Sequence, residues 1–207
     1  MQRTGPVAEI VILIPAAGTS RRMRGADKLL EEVAGEPILR RTARLAVETG
    51  APVLVTVPDT GSLVPARRAV LAGLGLGILP VPDAHEGMAA SLRAGARDVG
   101  PAEGLMVLMP DMPEVTAEDL HRLVAAFSDD PTTPLRATSG DGTEDGHPVI
   151  LPRRLLQEVL VLNGARGARS VLAGETVRRV PLPDRHAVTD LDTPEDWAAW
   201  RAGHGMA

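Results

Sequence analysis

The sequence predicts an α/β protein, a Rossmann-like and mainly parallel sheet with helices on both faces. Three observations carry that reading. Short β-branched runs alternate with longer segments of helical period. The runs are apolar on both faces, as in "EIVIL" (9–13) and "GLMVLM" (104–109), which suits strands covered on both sides. The first run then opens into small residues followed by cations, "PAAGTSRRMRGADK" (15–28). Open parallel sheets bind ligands at the carboxyl ends of their strands, where this stretch lies.

Taken in order, residues 8–14 read as the first strand. Residues 36–49 read as a helix with Ile38, Leu39, Leu45 and Ala46 on one side. A strand at 52–57, a helix at 61–72, a strand at 77–81 and a helix at 87–98 follow. The doubly apolar strand at 104–109 leads to a helix at 116–127, with Thr116 as N-cap and Asp119 three residues on. Beyond residue 128 the pattern loosens into the turn-rich "SDDPTTP" and "SGDGTEDGHP". Strands are expected at 135–138, 147–151 and 176–180, and helices at 152–160, 168–173 and from Pro194. There is no repeat and no long linker, so residues 1–207 are expected to form one domain.

Composition removes several classes of function. With 44% apolar and 24% charged residues a packed core is feasible and wholesale disorder is not expected. A net charge of −5 argues against a general nucleic-acid or membrane-surface binder. The absence of cysteine excludes disulfides, thiolate metal sites and cysteine nucleophiles. The N-terminal "MQRTGPVAEIVILIPAAG" imitates a signal peptide, but Glu9 interrupts its apolar run and the positive region is thin. No apolar run approaches the ~20 residues of a membrane helix. A cytoplasmic protein is expected.

The loop after the first strand concentrates Arg21, Arg22, Arg24 and Lys28 in an acidic chain. Ala16, Ala17 and Gly18 are small enough for backbone N–H groups to approach an anion. Arg22 could grip phosphate as a fork and Lys28 as a point charge. The alternative is a solvated basic loop. Two familiar phosphate loops do not fit. Walker A fails because position 23 is Met and Lys28 is flanked by Asp27 and Leu29, and the Rossmann fingerprint fails because position 20 is Ser.

Asp111 follows the doubly apolar strand at the same sheet edge. It reads either as a Mg²⁺ ligand beside phosphates or as a turn-forming Asp between two prolines. In "TDLDTPEDW" (189–197), Thr193, Pro194 and Asp196 suit an N-cap, a first helical position and a capping box. Asp190 and Asp192 precede the cap and point to the same side if the chain is extended there. With no Tyr and one Phe, a base would be read by hydrogen bonds from backbone and Ser rather than by aromatic stacking.

"PAAGTSRRMRGADKLL" resembles the A-A-G-x-S-x-R-M-…-K-L-L motif of the MobA-like nucleotidyltransferases, and most of all their molybdenum cofactor cytidylyltransferases. Further landmarks follow in the family's order: "GMAASL" (87–92), "LMPDMP" (108–113), "GHP" (146–148), "NGARGAR" (163–169) and "DLDTPEDW" (190–197). The resemblance implies a single nucleotidyltransferase domain, with residues 1–127 binding nucleotide and 128–207 facing the acceptor and closing the fold. It implies transfer of CMP from CTP to Mo-molybdopterin, with release of pyrophosphate and formation of molybdopterin cytosine dinucleotide. An apo-molybdoenzyme is then a possible client. Other readings are a different phosphorylated acceptor, or a carrier that delivers the cofactor without turnover.

The resemblance also implies roles. Ala16, Ala17, Gly18, Ser20, Arg22, Lys28, Gly87 and Ser91 would bind nucleotide. Arg22, Lys28 and Asp111 would be catalytic, with Mg²⁺ on Asp111 and Asp192 and with Asp190 nearby. His147 and Arg169 would face the acceptor. Ala165 departs from the family's G-D-x-G-A-R, which has Asp there. Related guanylyltransferases begin A-G-G, and a methyl at Ala17 would narrow the space beside the base and favour CTP. Arg22→Ala is expected to raise KM for the nucleotide and lower kcat, with Arg21 and Arg24 mattering less. Steady-state kinetics check this, and equal damage from Arg24→Ala would shift the register of the loop.

Overall fold

A computed structural model describes residues 8–164 and 167–205. Strand β1 (Ile10–Pro15) is followed by the basic loop and a two-residue ribbon, β2 (Glu32–Val33) and β3 (Glu36–Pro37). Helix α1 (Ile38–Glu48), β4 (Val53–Pro58), α2 (Val64–Leu71), β5 (Gly77–Val81), α3 (Met88–Arg97), β6 (Gly104–Val107) and α4 (Ala117–Asp129) complete the regular alternation. The remainder is β7 (Leu135–Thr138), β8 (Asp145–Pro152), α5 (Leu156–Leu160), α6 (Ala168–Val171), β9 (Arg178–Pro181) and α7 (Pro194–Gly203).

Seven strands form one sheet in the order β5-β4-β1-β6-β8-β7-β9. Only β8 runs against its neighbours. The chain steps outward from β1 to β4 and β5, then returns to place β6 on the other side of β1. That reversal opens a crevice at the carboxyl ends of β1 and β6, where doubly wound sheets take their ligands. Alternation along β1 divides the core. Ile10, Ile12 and Ile14 pack with Leu39, Ala43, Leu120 and Phe127 on one face. Val11 and Leu13 pack with Leu92, Ala96 and Val159 on the other. A third cluster joins the loop to the C-terminal helix through Met23, Val33, Ile38, Leu191, Trp197 and Trp200.

The helix expected from residue 36 begins at Ile38, because Glu36 and Pro37 pair with β2. The turn between the two short strands places Ala34 and Gly35 at positive φ, 52° and 80°, the geometry of a primed hairpin turn. Ala in a position that favours Asn or Asp hides this hairpin from sequence reading. The strand expected at 147–151 is longer, Asp145–Pro152, so His147 lies within it. The helix expected at 152–160 divides into a 3₁₀ turn at Arg153–Leu155 and α5. Both capping boxes form, Thr116 with Asp119 and Thr193 with Asp196, and Pro194 opens α7.

One close approach fixes the segment that leads to Asp192. The N–H of His147 donates to the Ala187 carbonyl at 2.8 Å. A Cβ on Gly146 would lie 1.9 Å from that same carbonyl oxygen. Gly146→Ala must therefore push the 187–192 segment off β8, an overpacking cost of about 2 kcal/mol or more. Urea unfolding with an unchanged m-value is expected to show the loss. An unshifted midpoint would mean that the segment yields freely.

Candidate active site

The crevice is a cleft of about 380 Å³, within the size range of small-molecule sites. The loop after β1 forms one wall and the start of α3, with Gly87, Met88 and Ser91, forms the other. Asp111, beyond β6, and Asp192, before α7, lie at its end.

The loop follows an irregular path. It makes 3₁₀ turns at Arg21–Met23 and Lys28–Leu30, and Ser20 and Arg24 sit at φ 49° and 53°. Left-handed backbone costs a non-glycine residue ~1–2 kcal/mol, so the surroundings must impose it. Arg67 of α2 does so from behind. Its side chain is 0% exposed. Nε and Nη2 donate to the two oxygens of Asp27 at 2.7 and 2.8 Å. Nη1 donates to the carbonyls of Ala16 and Gly18 at 2.6 and 2.7 Å. The Ser20 hydroxyl donates to Asp27 at 2.7 Å, and the Leu29 N–H does so at 3.2 Å. Burial pushes the Asp27 carboxyl up, but the hydrogen bonds and charge of Arg67 outweigh it and hold the pKa below the ordinary value.

At the end of the cleft the Lys28 ammonium is held between two carboxylates. Nζ contacts Asp111 Oδ2 and, at 2.6 Å, Asp192 Oδ1. Arg22 Nη1 lies 2.6 Å from the other Asp192 oxygen. Burial lowers the Lys28 pKa, but the charges and hydrogen bonds of Asp111 and Asp192 outweigh it and raise it above the usual lysine value. The Asp190 carboxyl is pushed up by burial and by the charges of Asp111 and Asp192. Asp111 is 3% exposed, and its Oδ1 has no hydrogen-bond partner among the described residues. No group of three His, Cys, Asp or Glu fit to hold a metal occurs among the described residues. Two carboxylates with one orphaned oxygen do suit Mg²⁺, which takes one or two carboxylates and completes its shell with phosphate and water.

Gly18, Ser20, Arg22, Lys28, Gly87, Ser91, Asp111 and Asp192 therefore share one cleft. Arg21, expected to matter less than Arg22, lines it too. Arg24 pairs instead with Glu195 at 2.6 Å, both largely exposed. Ala16 and Ala17 are buried behind the loop. The Ala17 side chain packs with Val81 of β5 and Ala90 of α3 and does not itself line the cleft. His147 does not line the cleft. Burial and the Arg136 charge hold its pKa below the ordinary histidine value, leaving the ring neutral at neutral pH. Arg169 is exposed on α6 and lines a separate groove with Arg136 and Arg179, so the two acceptor candidates are not brought into the cleft. Ala165 lies outside the described residues. Sequence reasoning missed Arg67. Its signal was a cation on the same helix face as Leu63 and Leu71, a pattern that demands a buried partner.

The mainly parallel sheet with its reversal, and a basic loop that meets two carboxylates at the end of the crevice, have the architecture of the nucleotide-diphospho-sugar transferase fold. Residues 12–181 match the MobA-like NTP transferase domain, and the chain belongs to that family. It is 30% identical over 196 residues to the "probable molybdenum cofactor guanylyltransferase" of Synechococcus elongatus, covering 90% of this chain and 95% of the relative. It is 38% identical over 81 residues to the 3-deoxy-manno-octulosonate cytidylyltransferase of a Methylobacterium species, covering 39% of this chain and 31% of the relative. The crystal structure of Rv0371c from Mycobacterium tuberculosis H37Rv is similar with a TM-score of 0.79 at 26% identity, covering 94% of this chain and 98% of that one. A complex of Rv0371c with manganese is similar with a TM-score of 0.76 at 25% identity, covering 92% and 97%.

Arg67→Met leaves buried Asp27 without a charge partner, with only the Ser20 and Leu29 hydrogen bonds, and is expected to cost about 3–5 kcal/mol in urea unfolding. The folded-state pKa of Asp27 is depressed, so the pair's contribution is present above the ordinary value of 3.8 and is lost as pH falls through the folded value. The gap between wild type and Arg67→Met should therefore close in acid. A gap that stays constant below that pH would remove Asp27 as the partner that matters.

Proposed function

We propose that the protein transfers CMP from CTP to the terminal phosphate of Mo-molybdopterin, releasing pyrophosphate and giving molybdopterin cytosine dinucleotide. One observation carries the chemistry. A basic loop sized for phosphates and a pair of carboxylates meet in a single cleft, with Lys28 between Asp111 and Asp192. The name of the Synechococcus relative supports a molybdopterin acceptor. The A-A-G of Ala16, Ala17 and Gly18 and the "GMAASL" of α3 support cytidine, by resemblance to the cytidylyl branch. That relative is named for guanylyl transfer, and Ala17 does not itself line the cleft. The base is thus the feature on which the reading is most open to test.

Asp111 and Asp192 would hold Mg²⁺, and the manganese complex of Rv0371c supports a divalent cation. When bound, the ion would neutralise phosphate charge and orient the donor. The other work falls to side chains. The loop's backbone from Gly18 to Ser20 borders the triphosphate. Arg22 and Lys28 balance its charge and that of the departing pyrophosphate. Gly87 and Ser91 face the nucleoside from the opposite wall. An oxygen of the acceptor phosphate forms a bond to the donor α-phosphorus as the bond from that phosphorus to the β-phosphate oxygen breaks. The acceptor phosphate, with a second pKa near ~6, is mostly dianionic at neutral pH and needs no general base. His147, half-buried and outside the cleft lining, is not placed to act as one.

Asp111→Asn is expected to lower kcat by about a thousandfold, several kcal/mol of lost charge neutralisation, with an unchanged circular dichroism spectrum. Activity near that of wild type at ordinary Mg²⁺ would reject the metal assignment. With saturating Mo-molybdopterin, CTP is expected to exceed GTP in kcat/KM by at least roughly tenfold. Equal use, or a preference for GTP, would reject the cytidylyl assignment and leave nucleotidyl transfer standing. Ala17→Gly should not close the gap, since Ala17 does not line the cleft.

A further inference from the structure

We infer that Lys28 is a stand-in cation: without nucleotide its ammonium fills the place between Asp111 and Asp192, so that a divalent ion binds there weakly until a nucleotide's phosphates draw Lys28 away. The inference rests on the metal reading above.

Four observations carry it. Lys28 Nζ contacts both carboxylates at once, one oxygen from each. The site is largely shielded, with side-chain exposures of 19% for Lys28, 5% for Asp111 and 18% for Asp192. Arg22, by contrast, reaches Asp192 from outside with 68% of its side chain exposed. Asp111 also keeps an orphaned Oδ1, so the donor set is larger than one ammonium satisfies.

The backbone around Lys28 does not give way. Asp27 before it is tied to Arg67, and Leu29 after it is buried in the core. Only the four-carbon side chain can leave, and the cleft it opens into is the one proposed for the triphosphate. The electrostatics set the order. A dication arriving while Lys28 is in place meets a cation at contact distance in a poorly screened site. A triphosphate offers the compact ammonium a stronger partner than Asp111 and an Asp192 already shared with Arg22. Once Lys28 moves to phosphate, two carboxylates are left facing each other and the dication is favoured. Nucleotide and metal then bind with positive coupling, and the coupling must be reciprocal.

The test uses Mn²⁺ as probe and the electron paramagnetic resonance signal of the free ion as readout, on the whole protein without acceptor. Without nucleotide, Lys28→Met is expected to bind Mn²⁺ at least about tenfold more tightly than wild type. Lys28→Gln serves as the second variant should Lys28→Met fail to fold. Arg22→Gln also removes a charge paired with Asp192, yet should change Mn²⁺ affinity by less than about threefold, because that charge is exposed. Adding Asp111→Asn to Lys28→Met should abolish the gain. With non-reacting α,β-methylene CTP, the nucleotide should tighten Mn²⁺ binding more in wild type than in Lys28→Met. The Mn²⁺ complex of the free nucleotide is common to both and cancels. Unchanged or weaker Mn²⁺ binding by both Lys28 variants would overturn the stand-in role, as would an equal gain from Arg22→Gln. If no form binds Mn²⁺ even with nucleotide, the metal reading falls together with this one.

Discussion

The site depends on an arginine that faces away from it. Arg67 lies behind the nucleotide loop and spends its donors on Asp27 and on the carbonyls of Ala16 and Gly18. A fully buried guanidinium is tolerable only when such partners surround it. Because it grips both ends of the loop, the left-handed turns at Ser20 and Arg24 are held by the fold rather than by a ligand. The opposite side of the loop is left free to face the cleft. Lysine could not do this, since the task needs a planar fork with donors in three directions.

The other half of the site arrives from the far end of the chain. Asp192 meets Lys28 across 164 positions of sequence. It is placed by Leu191, buried with Met23 and the two tryptophans, and by the capping box of the helix that follows. The indole rings of Trp197 and Trp200 meet edge to face at 6.4 Å, and the Arg201 guanidinium covers Trp197 at 5.0 Å. This small cluster joins the C-terminal helix to the basic loop. The C-terminal element thus supplies a carboxylate as well as closing the core, and it couples the stability of α7 to the geometry at Lys28.

Sequence legibility followed the strength of local physics. The apolar strands, the two capping boxes and the crossover helices were readable because each repeats a period or completes a short motif. The cations at 22 and 28 and the acid at 111 were readable because a sheet of this class brings strand ends together, whereas Asp192 was assigned by resemblance. The hairpin at Ala34–Gly35 was hidden by a residue that does not advertise a left-handed turn. The direction of the Ala17 methyl was hidden because strand alternation ends at Pro15, and nothing in the sequence says which way a loop Cβ points. Arg169 was assigned by resemblance. Its actual neighbours, Arg136 and Arg179, come from strands whose pairing with one another is long-range and leaves no local mark.

The charge at the basic loop also decides what kind of anion it can serve. Four cations in an acidic chain would suit a polyanion if they were free, but most are already matched: Arg24 with Glu195, Arg22 with Asp192, and Lys28 with Asp111 and Asp192. A nucleic-acid backbone would gain little by competing with those pairs one at a time, since affinity there comes from many independent phosphate contacts. A triphosphate differs, because it brings several charges to a single point and can exchange partners with Arg22 and Lys28 together. The carboxylates released by that exchange are an asset only if a second cation comes to them. On the proposed reading, the same pairs that make the loop unattractive to a diffuse polyanion would select for a compact one that travels with a metal.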